Sequence, residues 1–295
     1  MTTAIISEIK RFAVHDGDGI RTTVFFKGCP LNCKWCHNPE CISYKREFAY
    51  MQHKCINCGN CVQACENHAH TIKNGIHCFN RALCVTCGKC INFCPNDALK
   101  IYGNEVTVQE ILPVLLEDKD FYNNSGGGVT LSGGECLTQA EFCKELLKSL
   151  KDNGVHTAVD TCGFVNRQNI DMVIPYTDVF LHDIKAFDED VHIKGTGQSN
   201  RIILENLHYI DDCGKNIEIR IPYIPEYNTD QIEKIANLLT EFKNILKVRI
   251  LPYHNYAGSK YNSLGMVNTL PTRLPDKEEL DRAVLLLKKH NLPVL

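Results

Sequence analysis

Every cysteine of the run Cys55-x2-Cys58-x2-Cys61-x3-Cys65 recurs 29 residues later, in Cys84-x2-Cys87-x2-Cys90-x3-Cys94. No other feature restricts the folding of this chain so tightly. Eight thiols packed into so short a stretch must either cross-link or converge on metal. Disulfide scaffolds are usually short secreted chains, whereas this one has 295 residues and 17 cysteines. Its opening residues, Met-Thr-Thr-Ala-Ile-Ile-Ser-Glu, lack the basic-then-apolar plan of a signal peptide, and no apolar run approaches membrane-spanning length. The expectation is a reducing, cytoplasmic setting in which the thiols hold metal. A net charge of -3 with 23% charged residues gives no reason to expect nucleic acid or a membrane as partner. Short strands and turns around Gly59, Gly75 and Gly88 suit a small module that folds poorly without its metal.

A second cysteine group lies in Gly28-Cys29-Pro30-Leu31-Asn32-Cys33-Lys34-Trp35-Cys36-His37-Asn38, directly after the apolar, strand-like segment Thr22 to Phe26. Three thiols this close can face one centre. A four-iron cluster held by only three cysteines keeps one iron without a protein ligand, and an open position separates catalytic metal sites from closed structural ones. On spacing alone, a structural zinc site completed by His37 or Cys41 competes with this reading. Cys136, Cys143, Cys162 and Cys213 are taken as ordinary small hydrophobes. The same default covers Cys41 and Cys78, although both lie near enough to the clusters to serve as spare ligands.

From Asn104 the pattern alternates between helices and short apolar strands. Thr107-x-x-Glu110, Thr138-x-x-Glu141 and Asp276-x-x-Glu279 predict capping boxes, the last opening a helix with apolar positions Leu280, Ala283, Val284 and Leu287. Strands are expected at Thr22–Phe26, Val129–Leu131, His156–Asp160, Val179–Ile184, Ile217–Ile221 and Lys247–Leu251. Helices between them imply a parallel sheet with right-handed crossovers, and six units fall short of a closed eight-stranded barrel. Ligands of such sheets bind at the C-terminal strand ends. Each expected strand there runs into reactive residues: Cys29, Ser132-Gly133-Gly134-Glu135, Asp160-Thr161-Cys162, Asp183-Ile184-Lys185, Arg220, and Leu251-Pro252-Tyr253-His254.

Cys29-x3-Cys33-x2-Cys36 with Trp35 before the last cysteine resembles the signature of radical S-adenosylmethionine (SAM) enzymes. The longer string, from His15-Asp16-Gly17-Asp18-Gly19-Ile20-Arg21 through Phe25-Phe26-Lys27-Gly28 to Cys36-His37-Asn38-Pro39-Glu40, is similar to the glycyl-radical-enzyme activating enzymes. Asp18 stands where that family usually has proline. The duplicated run resembles two-cluster bacterial ferredoxins, in which the fourth cysteine of each run ligates the other cluster. That pairs Cys55, Cys58 and Cys61 with Cys94, and Cys84, Cys87 and Cys90 with Cys65.

The resemblance implies an α/β fold, a partial (β/α)6 TIM-type barrel (residues 1–51 and 104–295), with an inserted α+β ferredoxin-like domain (52–103) carrying two 4Fe-4S clusters. It implies a third 4Fe-4S cluster on Cys29, Cys33 and Cys36, whose open iron takes the amino and carboxylate groups of SAM. Gly133 and Gly134 would let backbone approach the SAM amino group, with Glu135 completing that motif. Lys185 and His254 would hold its carboxylate and Asp183 its ribose. Trp35, His37 and Asn38 would begin the adenine pocket, and Arg220 would organise charge beside SAM or the incoming peptide. Asp16 and Gly17 match a loop that grips the substrate backbone, and Asp160 with Thr161 a segment near a monovalent cation. The implied reaction cleaves SAM to a 5′-deoxyadenosyl radical that takes hydrogen from a glycine of a partner glycyl radical enzyme. Electrons come from a low-potential donor such as flavodoxin or ferredoxin, relayed by the insert, unless the insert only stabilises or docks. No acid, base or nucleophilic side chain is called for. The alternative within the superfamily is a small-molecule substrate; outside it, an electron carrier or zinc protein.

Overall fold

The structure is a computed structural model and describes residues 2–295. In chain order, β1 (Thr3–Ala13) and β2 (Arg21–Phe26) lead into an insert of β3 (Glu47–Tyr50), α1 (Asn60–Ala64), β4 (His70–Lys73), β5 (Ile76–Phe79) and β6 (Leu99–Tyr102). β7 (Asn104–Thr107) returns to the main body, followed by α2 (Val108–Leu116), α3 (Lys119–Ser125), β8 (Gly128–Gly133), α4 (Ala140–Asp152), β9 (Thr157–Thr161), α5 (Arg167–Val173) and β10 (Val179–Asp183). α6 (Glu189–Thr196), α7 (Arg201–Asp212), β11 (Asn216–Tyr223), α8 (Ile232–Leu239), β12 (Ile245–Pro252), α9 (Gly258–Leu264) and α10 (Lys277–Lys289) complete it.

One eight-stranded sheet runs β12-β11-β10-β9-β8-β2-β1-β7. The six expected strands form its parallel stretch, β2 to β12, in chain order. β1 and β7 extend it by antiparallel pairing and were not foreseen. Register shifts between Ile6 and Glu8 and between Lys10 and Ala13 break the two-residue alternation that would have betrayed β1.

The period-two pattern of the parallel strands separates apolar from polar. Val24, Phe26, Val129, Leu131, Val159, Phe180, Ile217, Ile219, Ile221 and Val248 share one face and join the helices in a single core. α4 contributes Phe142, Cys143, Leu146, Leu147 and Leu150 to it. Thr130, Ser132, Asp160, Asp183, Glu218 and Arg220 alternate with these residues and fall on the other face. Asp18, at the position where proline was expected, ion-pairs with Lys247 of β12, and Arg249 Nη2 lies 3.6 Å from the same carboxylate. These contacts join the loop before β2 to the far strand of the parallel stretch.

Capping boxes form at Thr107/Glu110 and Asp276/Glu279. The one expected at Thr138/Glu141 does not. Thr138 Oγ1 donates to the Glu135 carbonyl at 2.8 Å, Cys136–Gln139 is a 3-10 turn, and α4 starts only at Ala140.

The insert repeats as structure beyond its cysteines. A 29-residue shift carries β3 onto β5 and β4 onto β6, and the register pair His70–Phe79 onto Leu99–Tyr50. Left-handed residues recur in the same step: Asn57 and Thr86 (φ 59° and 57°), Gly59 and Gly88 (79° and 81°), His68 and Asp97 (53° and 48°). Arg81 fastens the insert to the main body, donating to the Phe48 carbonyl at 2.6 Å and to the Ser263 carbonyl of α9.

Candidate active site

β2 stops at Phe26, and the loop after it is fixed by backbone bonds to segments far away in sequence. Gly28 N donates to Cys41 O (2.8 Å), Asn32 N to Thr196 O (2.8 Å) and Lys34 N to Gly195 O (2.9 Å). Tyr261 Oη donates to Cys36 O at 3.1 Å. So held, Cys29, Cys33 and Cys36 line one open cleft of about 520 Å³ at the C-terminal strand ends. Burial pushes the Cys33 thiol up to about 11 and raises Cys36 further, whereas a hydrogen bond with Cys162 lowers Cys29. Two thiols that resist ionising in the bare protein are suited to a site where a metal supplies the countercharge.

The same cleft collects Trp35, His37, Asn38, Gly133, Gly134, Asp183, Lys185, Arg220 and His254. Lys185 Nζ bonds Asp183 Oδ2 at 2.7 Å, and Arg220 Nη1 lies 3.1 Å from Asp160 Oδ2, with its Nε 3.8 Å from Asp183 Oδ1. Burial works against the Asp183 charge, but Lys185 and Arg220 outweigh it and hold this carboxyl below its usual range. Burial wins at Asp160, pushing it up to about 6 despite Arg220. Asp183 Oδ1 and His254 Nδ1 are buried without a hydrogen-bond partner, and Arg220 meets Asp160 and Asp183 as an ion pair only. These groups on one cleft, beside three thiols, fit a ligand that bears hydroxyls, a carboxylate and a metal-chelating end.

On the far wall, burial holds His37 down to about 4, leaving a neutral ring 2.7 Å (Nε2) from the His254 carbonyl. Its ring stacks on His254 at 4.0 Å. Trp35 is buried against Ile224 and Tyr253. A Cβ on Gly133 would overlap the Phe26 backbone, and one on Gly134 the carbonyls of Gly28 and Cys41. Both positions therefore need glycine to seat the end of β8 against β2 and the cysteine loop.

Three expected residues fall outside the cleft lining. Glu135 is fully buried and turned into the protein, where it accepts from Thr161 Oγ1 (2.8 Å), Cys162 N (2.8 Å) and Leu137 N (3.0 Å). It ties the turn after β8 to the end of β9. Asp16 sits below the rim between β2 and β8: its carboxylate accepts from Thr23 Oγ1 (2.8 Å) and its carbonyl from Thr130 Oγ1 (2.7 Å). Gly17, at φ 113°, packs on the Arg21 side chain. Asp160 accepts from Ser132 Oγ at 2.6 Å as well as pairing with Arg220. Cys162, treated as an inert hydrophobe in the sequence, lines the cleft. Its place two residues past Asp160, at a strand end, was the available signal. Cys41 is buried behind the cysteine loop, where its carbonyl receives Gly28 N.

In the insert, Cys55, Cys58, Cys61 and Cys94 line one small pocket together with His77. Burial and then its neighbours Cys55, Cys58 and Cys94 push the Cys61 thiol up to about 11. Burial, then chiefly Cys65 and Cys84, pushes Cys90 to about 12. Backbone amides point at sulfur in both halves. Asn57 N reaches Cys55 Sγ and Thr86 N reaches Cys84 Sγ, each at 3.4 Å; Ala69 N reaches Cys65 Sγ and Ala98 N reaches Cys94 Sγ, each at 3.3 Å. Donors aimed at sulfur suit cluster-bound thiolates, which only accept. Cys78 occupies the β5 position next to His77 and does not line this pocket.

Residues 88–239 match the family described as the radical SAM superfamily, and residues 54–99 that described as a 4Fe-4S dicluster domain. The chain is 43% identical over 265 residues to the trans-4-hydroxy-L-proline dehydratase activating enzyme of Clostridioides difficile, covering 88% of this chain and 87% of that one. It is 38% identical to the choline trimethylamine-lyase activating enzyme of Oleidesulfovibrio alaskensis (99% and 97% covered) and 38% identical to the benzylsuccinate synthase activating enzyme of Thauera aromatica (100% and 92%). Among solved structures, a radical SAM methyltransferase from Sphaerobacter thermophilus superposes with TM-score 0.55 at 13% identity, covering 98% of this chain and 76% of that one; this is a likeness of fold.

Proposed function

This chain belongs to the glycyl-radical-enzyme activating enzymes of the radical SAM superfamily, which raise a glycyl radical on a partner protein, and from that membership we propose how its residues divide the work. Cys29, Cys33 and Cys36 would hold a 4Fe-4S cluster and leave one iron to the amino and carboxylate groups of SAM. Bound there, it would supply one-electron reduction of SAM by the low-potential donor, the chemistry that releases methionine and the 5′-deoxyadenosyl radical for hydrogen abstraction from a glycine Cα of the partner.

The remaining steps belong to side chains of this protein. Lys185 meets the SAM carboxylate by charge, and His254 offers its unpartnered Nδ1. Asp183, kept ionised by Lys185 and Arg220, accepts from ribose hydroxyls through its free Oδ1. Backbone at Gly133 and Gly134 lies against the cysteine loop and receives the methionyl amino group. Trp35, His37 and Asn38 close the adenine end. Glu135 acts one layer back by fixing Thr161 and Cys162. Arg220 balances Asp160 and Asp183; a monovalent cation at Asp160 would compete with it for one carboxylate, so that charge falls to Arg220. Asp16 and Gly17 receive the partner's backbone on the polar face beneath the rim.

The open parallel sheet is a partial (β/α)6 barrel, residues 1–51 and 104–295. Residues 52–103, with β3 (Glu47–Tyr50) added from before that boundary because it pairs with β6, form a ferredoxin-like insert with two further 4Fe-4S clusters, one on Cys55, Cys58, Cys61 and Cys94, the other on Cys84, Cys87, Cys90 and Cys65. They relay electrons from a flavodoxin or ferredoxin, in a reducing compartment we take to be the cytoplasm. The observation that carries this reading is the meeting of three cysteines with the unpartnered Asp183 Oδ1 and His254 Nδ1 on one cleft.

The test is to incubate reduced, anaerobically reconstituted protein and SAM with the hydroxyproline, choline and benzylsuccinate glycyl radical enzymes in turn. A glycyl doublet in the electron paramagnetic resonance (EPR) spectrum of one of them is expected. SAM cleavage with no doublet on any of them, but turnover of a small molecule, would favour the small-molecule reading instead.

A further inference from the structure

The two halves of the insert superimpose in sequence step, in strand register and in their amide-to-sulfur bonds, so any side chain that breaks the repeat distinguishes the two cluster sites. The break is concentrated around Cys61. His77 Nε2 lies 3.4 Å from Cys61 Sγ, and His70 Nδ1 lies 3.0 Å from the same Nε2. Both rings are buried, at 3% and 1% exposure. The 29-residue shift replaces His77 by Phe48 and His70 by Leu99, which are buried in one small core with Cys90. It also exchanges Tyr50, which packs edge-on against His77 with ring centroids 4.7 Å apart, for Phe79.

Resting on the reading of the insert as a two-cluster module, we propose that His77 donates its Nε2–H to Cys61 Sγ and thereby makes the first cluster the easier of the two to reduce. A cluster-bound thiolate has no proton to give, so the proton of this contact must be on His77. That tautomer leaves His77 Nδ1, which is buried without a partner, as a lone pair and not as a stranded N–H. The same N–H is shared with His70 Nδ1, 3.0 Å away, which must then be a lone pair, so that His70 carries its own proton on Nε2; the two rings stack with centroids 5.1 Å apart. A donor on a ligating sulfur stabilises the extra negative charge of the reduced cluster, and its effect is strong where water is excluded. The second half gains no such donor. Its nearby cations are Arg81, whose guanidinium is committed to two carbonyls, and Lys89, which is exposed and tied to Glu66; neither donates to a ligating sulfur. His77 is thus a positioning residue that sets where the relayed electron rests.

The experiment is an EPR-monitored reductive titration of the reconstituted full chain, with iron and sulfide analysis, for wild type, His77→Phe and His77→Gln. Two insert signals with separate midpoints are expected in wild type. His77→Phe, which installs the residue of the equivalent position, is expected to lower the higher midpoint by at least a tenfold change in the reduction equilibrium, about 59 mV for one electron. The lower midpoint and the iron content stay unchanged, and His77→Gln, which keeps an N–H, retains part of the separation. Coincident wild-type midpoints, an unmoved midpoint in His77→Phe, or iron loss in that variant would each overturn the proposal. Absence of any insert cluster signal in wild type would instead refute the two-cluster reading on which it rests.

Discussion

Replacing Glu135 by alanine separates two accounts of a residue whose sequence context points to cofactor and whose geometry points inward. Its carboxylate is fully buried and satisfies three donors, Thr161 Oγ1, Cys162 N and Leu137 N. Truncation strands all three. A buried donor left without a partner costs about 1–3 kcal/mol, and three that share one acceptor do not add fully, so the loss is about 3–6 kcal/mol. With a urea slope of about 3 kcal/mol/M for a chain of this size, the unfolding midpoint falls by about 1–2 M. The single tryptophan is Trp35, buried at the site, so its fluorescence follows the relevant region during the titration. SAM affinity, measured by equilibrium dialysis under conditions where the variant is folded, changes less than it does in Lys185→Met. A midpoint within experimental error of wild type together with a large loss of SAM affinity would refute the positioning role and return Glu135 to direct contact.

Gly134→Ala places a methyl against the carbonyls of Gly28 and Cys41, so the cysteine loop shifts; iron bound at the Cys29, Cys33 and Cys36 site falls, by metal analysis, while the insert signals persist. Burial raises Asp160 to about 6, so between its unfolded value of 3.8 and about 6 the folded state binds more protons than the unfolded one, and stability drops as pH rises through that window. Asp160→Asn should flatten that slope in urea titrations between pH 4 and 6.5; an unchanged slope would assign it to other groups. Replacing Cys58 and Cys87 by serine is expected to slow activation by the flavodoxin or ferredoxin donor while SAM cleavage by a strong chemical reductant survives; equal loss of both, with the SAM-site cluster intact, would remove the relay role.

Much of the parallel sheet could be read from the chain because short apolar strands alternate with helical segments, and on β11 apolar residues also alternate with polar ones, as in Ile217-Glu218-Ile219-Arg220-Ile221. The loaded strand ends followed from the same alternation, which is why Cys29, Asp183, Lys185 and Arg220 were expected at one rim, where all four line the cleft. β1 escaped because its bulges scramble the alternation. Glu135 was assigned to the cofactor because a motif names a residue without saying which way a tight turn aims it; two glycines before it and a 3-10 turn after it swing the carboxylate inward. The same turn used Thr138 Oγ1 locally and so cancelled the expected capping box. In the insert the cysteines repeat visibly, but His77 and Phe48, or Tyr50 and Phe79, occupy equivalent places without resembling each other enough to reveal the full length of the duplication. Only the strand register exposed it.

The proposed activity turns on an iron left open by Cys29, Cys33 and Cys36 for the amino-acid end of SAM. Electron–nuclear double resonance on the reduced, reconstituted protein with SAM labelled with nitrogen-15 at the amino group and oxygen-17 at the carboxylate tests it directly. The account predicts hyperfine coupling of both labels to the cluster. Uncoupled labels with SAM bound, or zinc at the three-cysteine site, would contradict it.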